Sequence, residues 1–143
     1  MSGSNGKPLS FRIVEPSYAR ANYRNHDNGM KLYVAGPMRG YPRLNFDNFV
    51  RMSNNIWCTG HTAINPAELD ILCGMCIDTV KEEDITDDIV RSMLLRDIVL
   101  IMTEADGLVV LDGWEASAGA RMEFQLARAL KLPVYNELGE LIA

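Results

Sequence analysis

The chain has 143 residues, 48% of them hydrophobic, with a formal net charge of −5 at pH 7. That length predicts one domain with a proper core, and the acidic balance argues against a nucleic-acid polymer as partner, because phosphate backbones call for a basic face. Neither a charged-then-apolar leader nor a run near the roughly 20 apolar residues of a membrane span is found, so no membrane partner and a cytoplasmic location are expected.

Residues 1–29 read as an N-terminal extension, partly ordered, and residues 30–143 as the folded domain. Residues 1–7 are rich in Ser and Gly and expected to fray; residues 9–14 suit an edge strand ended by Pro16, and residues 25–29 read as loop. Arg12, Arg20 and Arg24 make the segment mildly basic. The first firm strand is residues 31–35, followed by Gly36, Pro37, Met38, Arg39 and Gly40. Glycines flanking an Arg after a strand let the backbone approach a ligand while a guanidinium reaches a phosphate or carboxylate; an ordinary glycine turn with a surface Arg fits equally well. Tyr33, mid-strand, reads as a core aromatic with its hydroxyl at an edge.

Asn45 or Asp47 can cap a helix bearing Phe46, Phe49, Val50, Met52 and Ile56, which ends near Gly60. Residues 61–65 make a short strand from His61, expected to be structural, to Asn65, a candidate substrate contact at the strand's end. Residues 67–85 read as a helical insertion or a mobile loop, and the acids of residues 68–88 read as a solvated face. Cys73 and Cys76 lack the partners of a zinc site and the preceding strand of a redox motif, so the three thiols, Cys58 included, are expected to be buried or incidental in a reducing compartment.

Thr86 or Asp87 caps the next helix, whose Ile89, Val90, Met93, Leu94, Ile98, Val99 and Met102 form a broad apolar face. Asp97 interrupts it, either paired with Arg91 or Arg96, at a solvent edge, or functional. Residues 108–111 form a buried strand. A polar loop then leads to a helix with Met122, Phe124, Leu126, Ala127 and Leu130 as its apolar stripe and Ser117 as N-cap. The first N–H groups of that helix can hold an anion, and Glu123 follows in its second turn. Residues 132–135 give a last strand and residues 137–143 a tail. Alternating strands and helices specify an α/β, three-layer Rossmann-like or flavodoxin-like fold with a four- or five-stranded parallel sheet.

Tyr33, the loop of residues 36–40, helix-borne Asp97, and Ser117, Gly119 and Glu123 together resemble the nucleoside 2-deoxyribosyltransferase-like superfamily, nearest to the nucleoside 5′-monophosphate N-glycosidases and their small, often phage-encoded relatives. The resemblance covers residues 31–136. It implies Glu123 as the nucleophile at C1′, Tyr33 as the hydroxyl holding that carboxylate in line, and Asp97 as the acid near the departing base. It assigns residues 36–40 to the sugar and 5′-phosphate, and it implies a homodimer or larger oligomer with no metal or cofactor. Ser117 stands where enzymes of free nucleosides carry an acid. A hydroxyl can bond a phosphate that a carboxylate repels, so the expected substrate is a small-molecule nucleotide. Glu123 is expected to stay ionised, aided by a helix N-terminus and the Tyr hydroxyl. Arg121 departs from the family's usual glycine and could add a phosphate contact or point outward; Trp114 could stack on a base or pack against protein. Deoxyribosyl transfer between bases, and nucleotide binding without turnover, remain as alternatives.

Overall fold

The computed structural model describes residues 29–143 together with Pro8, Leu9 and Phe11. Residues 1–7 and the remainder of the expected edge strand and basic segment, with Arg12, Arg20 and Arg24, lie outside the described residues. Four strands form one parallel sheet: β1 (Lys31–Ala35), β2 (Thr62–Ile64), β3 (Gly107–Val110) and β4 (Val134–Tyr135), in the order β2-β1-β3-β4. Helices α1 (Phe46–Cys58), α2 (Pro66–Leu72), α3 (Asp87–Thr103) and α4 (Ala118–Ala129) connect them. The α/β, Rossmann-like expectation holds, with four strands among the described residues.

Alternation along β1 divides the core. Leu32 and Val34 pack with Phe49, Met52 and Ile56 of α1, whereas Tyr33 and Ala35 pack with Ile101 of α3 and Ala127 of α4. A side-chain period of two thus builds a three-layer molecule from a strand buried on both faces. The chain leaves β1 for β2 on one side and reaches β3 on the other, so the connections reverse between β1 and β3. Open parallel sheets form their ligand crevice at such a point, beyond the strands' carboxyl ends. Gly36 is needed there for close approach: a Cβ on it would lie 2.8 Å from Cβ and Cδ1 of buried Leu111.

Several local expectations are corrected. On α3 only Asp97 and Ile101 are buried, while Ile89, Val99 and Met102 are exposed, as is Leu95 at 66%. The apolar face predicted for this helix is therefore wider than the strip the sheet covers. On α4 the buried stripe is Ala120, Glu123 and Ala127, with Met122 and Leu130 exposed; small residues let the helix lie close to the sheet and turn Glu123 inward. Asn45 does not cap α1 with its side chain. Its Nδ2 donates to the Pro37 carbonyl at 2.8 Å and its Oδ1 accepts from Asn48 at 2.6 Å, bracing the loop after β1.

Thr86 caps α3, accepting from the Ile89 N–H. His61 plays the structural part expected, Nδ1 accepting from the Met30 N–H at 2.9 Å. Residues 67–85 contain α2 and a 3-10 turn, Glu82–Asp84. Cys73 and Cys76 are exposed and Cys58 half-buried, so none of the thiols is buried. The expected tail instead folds back, Leu141 bridging antiparallel to Tyr135. Among the described residues no helix is long and apolar enough to cross a membrane.

Candidate active site

A pocket of about 370 Å³ opens at the carboxyl ends of β1 and β3. Its floor is Tyr33, its near rim Gly36, Pro37, Met38 and Arg39, and its far wall Ser117, Gly119 and Glu123, with Asp97 between. Nine of the residues singled out from the sequence therefore share one cavity. Pro66, Ile85, Val90, Met93 and Leu94 close the remaining side with apolar surface that sequence reasoning missed. For Val90, Met93 and Leu94 the signal was present in the periodicity of α3, but that pattern reads equally as core.

At the base lies a buried polar chain. The Tyr33 hydroxyl, 0% exposed, donates to Glu123 Oε2 at 2.5 Å. Glu123 is 6% exposed and Asp97 7%. On α3 the Arg96 guanidinium donates twice to Asp97 Oδ1, from Nε at 2.9 Å and Nη2 at 2.7 Å. The same Nη2 lies 2.8 Å from Oδ1 of buried Asp70. That charge contact is off the hydrogen-bonding direction and leaves this oxygen without a donor among the described residues. Asp70 departs from the expected solvated acidic face. Asp97 is paired as one of the sequence alternatives had it, yet also lines the pocket.

Burial dominates the protonation of these acids. It pushes Glu123 up to about 8, against the opposing pull of the Tyr33 hydrogen bond, with nearby Asp97 adding to the rise. The expected aid to ionisation is thus corrected: desolvation outweighs the Tyr33 hydroxyl and favours the protonated carboxyl. Asp97 is likewise raised by burial despite Arg96 and Tyr33, and Asp70 by burial despite Arg96. Tyr33 is held well above its usual range by burial and then by the Glu123 and Asp97 charges, so it acts as a hydrogen-bond donor.

The side of the pocket across from the loop after β1 is built by α4. Ser117 caps that helix, Oγ accepting from the Ala120 N–H at 3.2 Å, and the N–H groups ahead of it have no intrahelical acceptor. Arg39 Nη2 donates to the Ile85 carbonyl at 3.3 Å, and the Gly40 N–H donates to Glu82. The acid-rich segment is therefore strapped over the loop after β1.

Four candidate residues lie off the pocket lining. Gly40 is on the exposed outer turn, with φ +84°. Asn65 caps α2, Oδ1 accepting from the Ala67 N–H at 2.9 Å, and its buried Nδ2 has no partner among the described residues. Trp114 stacks on Phe124 with centroids 4.5 Å apart, so one face of its ring is covered. Arg121 points outward, Nη1 donating to the Glu115 carbonyl at 2.8 Å. Among the described residues no group of three or more metal-binding side chains comes together.

A family model described as "Domain of unknown function (DUF4406)" matches residues 30–136. Neither the curated proteins nor the solved structures contain a match.

Proposed function

The chain belongs to the DUF4406 family, and since that description assigns no chemistry we propose a function from the pocket itself: hydrolysis of the N-glycosidic bond of a nucleoside 5′-monophosphate. The observation that carries this reading is the Tyr33–Glu123 hydrogen bond at 2.5 Å with Asp97 in the same cavity, beside the capped start of α4. Cleavage at an anomeric carbon proceeds through an oxocarbenium-like transition state and needs one carboxylate to attack and one acid to donate.

In this reading the ionised Glu123 attacks C1′ and the C1′–N bond breaks. Its electron pair leaves on the base nitrogen, which takes the proton of Asp97. A water oxygen then attacks C1′ and gives a proton to the Asp97 carboxylate. Glu123 departs and the sugar 5-phosphate is released. Ser117, the free N–H groups of α4 and Arg39 receive the phosphate, and the apolar wall of Val90, Met93 and Leu94 faces the base. The chemistry calls for no cofactor. Incubating the protein with a panel of ribo- and deoxyribonucleoside monophosphates, and separating free base by chromatography, tests the proposal; a folded sample that releases none overturns it.

One observation favours a second reading, deoxyribosyl transfer between free nucleosides. Glu82, held at the Gly40 N–H, places a carboxylate beside the loop assigned to the phosphate, where it would accept a sugar hydroxyl and repel an anion. Glu82→Gln separates the two. For a nucleotide enzyme the variant's KM for monophosphates is expected to fall about 3- to 10-fold, from removal of one nearby like charge at the rim. For a nucleoside enzyme KM for nucleosides is expected to rise. Steady-state kinetics on both substrate classes reads the difference.

The three free thiols suit the cytoplasm, where we place the reaction. We also propose a homodimer, for which Leu95, Val99 and Met102 form an exposed apolar stripe along α3. Sedimentation equilibrium is expected to give twice the 16.0 kDa of one chain, and a Leu95→Glu variant is expected to sediment as the single chain.

A further inference from the structure

Arg96 and Asp97 are adjacent on one helix, and adjacent helical side chains point about 100° apart and do not normally meet. Here they do: Nε and Nη2 of Arg96 both reach Asp97 Oδ1, at 2.9 and 2.7 Å. Something off the helix must bend the guanidinium back. Two groups of α2 do so, the Asp70 carboxylate at 2.8 Å from Nη2 and the Pro66 carbonyl at 3.4 Å from the same nitrogen. Asp70 is itself buried, a costly place for a carboxyl without a cation.

We propose that Arg96, anchored by Asp70 and the Pro66 carbonyl, is a positioning residue that fixes the orientation of Asp97 in the pocket by clamping its Oδ1. The inference rests on the function proposed above, in which Asp97 supplies a proton to the departing base. The groups that face Asp97 are Arg96 on its own helix, Asp70 from α2, Tyr33 from β1 and Glu123 from α4. Three carboxyls thus share one cation, so the guanidinium also sets how readily Asp97 holds its proton. Burial works to lower the basicity of Arg96, but its hydrogen bonds to Asp97 and its charge contact with Asp70 more than offset this and keep it charged. A planar fork can clamp one oxygen from two nitrogens, which a lysine ammonium cannot do in the same geometry.

The test separates orientation from charge. Arg96→Lys keeps the cation and loses the fork; kcat is expected to fall about 10-fold or more, within the range a well-placed proton donor contributes. KM is expected to stay within about twofold, and the carbon-13 titration midpoint of the Asp97 carboxyl within about half a pH unit. Arg96→Met removes fork and cation together, and the same midpoint is expected to rise by about one pH unit or more. Wild-type kcat in Arg96→Lys overturns the proposal, as does an unmoved Asp97 midpoint in a folded Arg96→Met. If the wild-type protein turns over no nucleotide, the reading of the function falls, but the clamp is still decided. A crystal structure of Arg96→Lys is expected to show the Asp97 carboxyl rotated, and one in which it keeps its orientation overturns the clamp.

Discussion

Glu123→Gln is expected to abolish base release and, at the same time, to make the protein harder to unfold at alkaline pH. The loss of turnover should be at least about 10³-fold, since an amide oxygen cannot displace the base and form the glycosyl intermediate. The gain in stability follows from the same burial that raises the carboxyl. Its pKa is 4.5 when exposed and about 8 in the folded protein. Below 4.5 both states hold the proton and the group contributes no pH dependence. Between 4.5 and about 8 only the folded state holds it, so stability falls steadily as pH rises, and it is flat beyond.

Across that window the loss is on the order of 5 kcal/mol. An uncharged Gln of similar shape can still accept from Tyr33 and loses none of it. Urea unfolding of both proteins from pH 5 to 9 should therefore show curves that diverge with pH, the variant the more stable. Asp97 and Asp70, raised by burial too, tilt both curves in the same direction, so the difference isolates Glu123. Parallel curves would show that the carboxyl is not desolvated in solution, and a Gln variant that still releases base removes Glu123 from the chemistry.

Tyr33→Phe is the second large effect expected. The hydroxyl donates to Glu123 Oε2 at 2.5 Å and is the strongest influence keeping that carboxyl from rising further. A nucleophile must be ionised, so wild-type kcat/KM should climb with pH through about 8. Without the hydroxyl the charged form loses a hydrogen bond to an ionised group, typically about 1.5–3 kcal/mol. The limb should move up by roughly one to two pH units, with a drop of about 10- to 100-fold in kcat/KM at neutral pH. The phenyl ring fills the same floor, so the fold should survive. A pH–rate profile of Tyr33→Phe that superimposes on that of the wild type would falsify the assignment.

The part of the site legible in the sequence is the part that lies next to chain punctuation. Gly36 and Gly40 bracket the rim, Ser117 opens α4, and Tyr33 and Glu123 sit a few residues from those markers. A strand–loop–helix pattern was therefore enough to bring them to one edge of the sheet. The sheet's class was legible for a similar reason, since buried parallel strands are short apolar runs between helical periods.

What escaped the sequence depends on contacts across long separations. Asp70 lies among eight acids that look solvated, and only the approach of Arg96 distinguishes it. Val90, Met93 and Leu94 have the spacing of core residues, and nothing local says that the sheet stops short of them. The raised pKa of Glu123 was not legible because a helix start and a hydroxyl can be seen in a sequence, whereas desolvation cannot. The stacking of Trp114 on Phe124, ten residues away, covers one face of a ring whose two roles its position alone left balanced.

The strand order has a consequence for how the molecule must work. β1 is hydrogen-bonded along both sides, by β2 and β3, and it carries Tyr33, so the hydroxyl that donates to Glu123 belongs to a strand held from two directions. Backbone amides of β1 and β3 should be the last to exchange with deuterated solvent, and those of residues 73–86 among the first. For the proposed reaction, admission of the nucleotide would then fall to the outer covering, which can loosen by breaking the Gly40–Glu82 and Arg39–Ile85 bonds, while Tyr33 and Glu123 keep still.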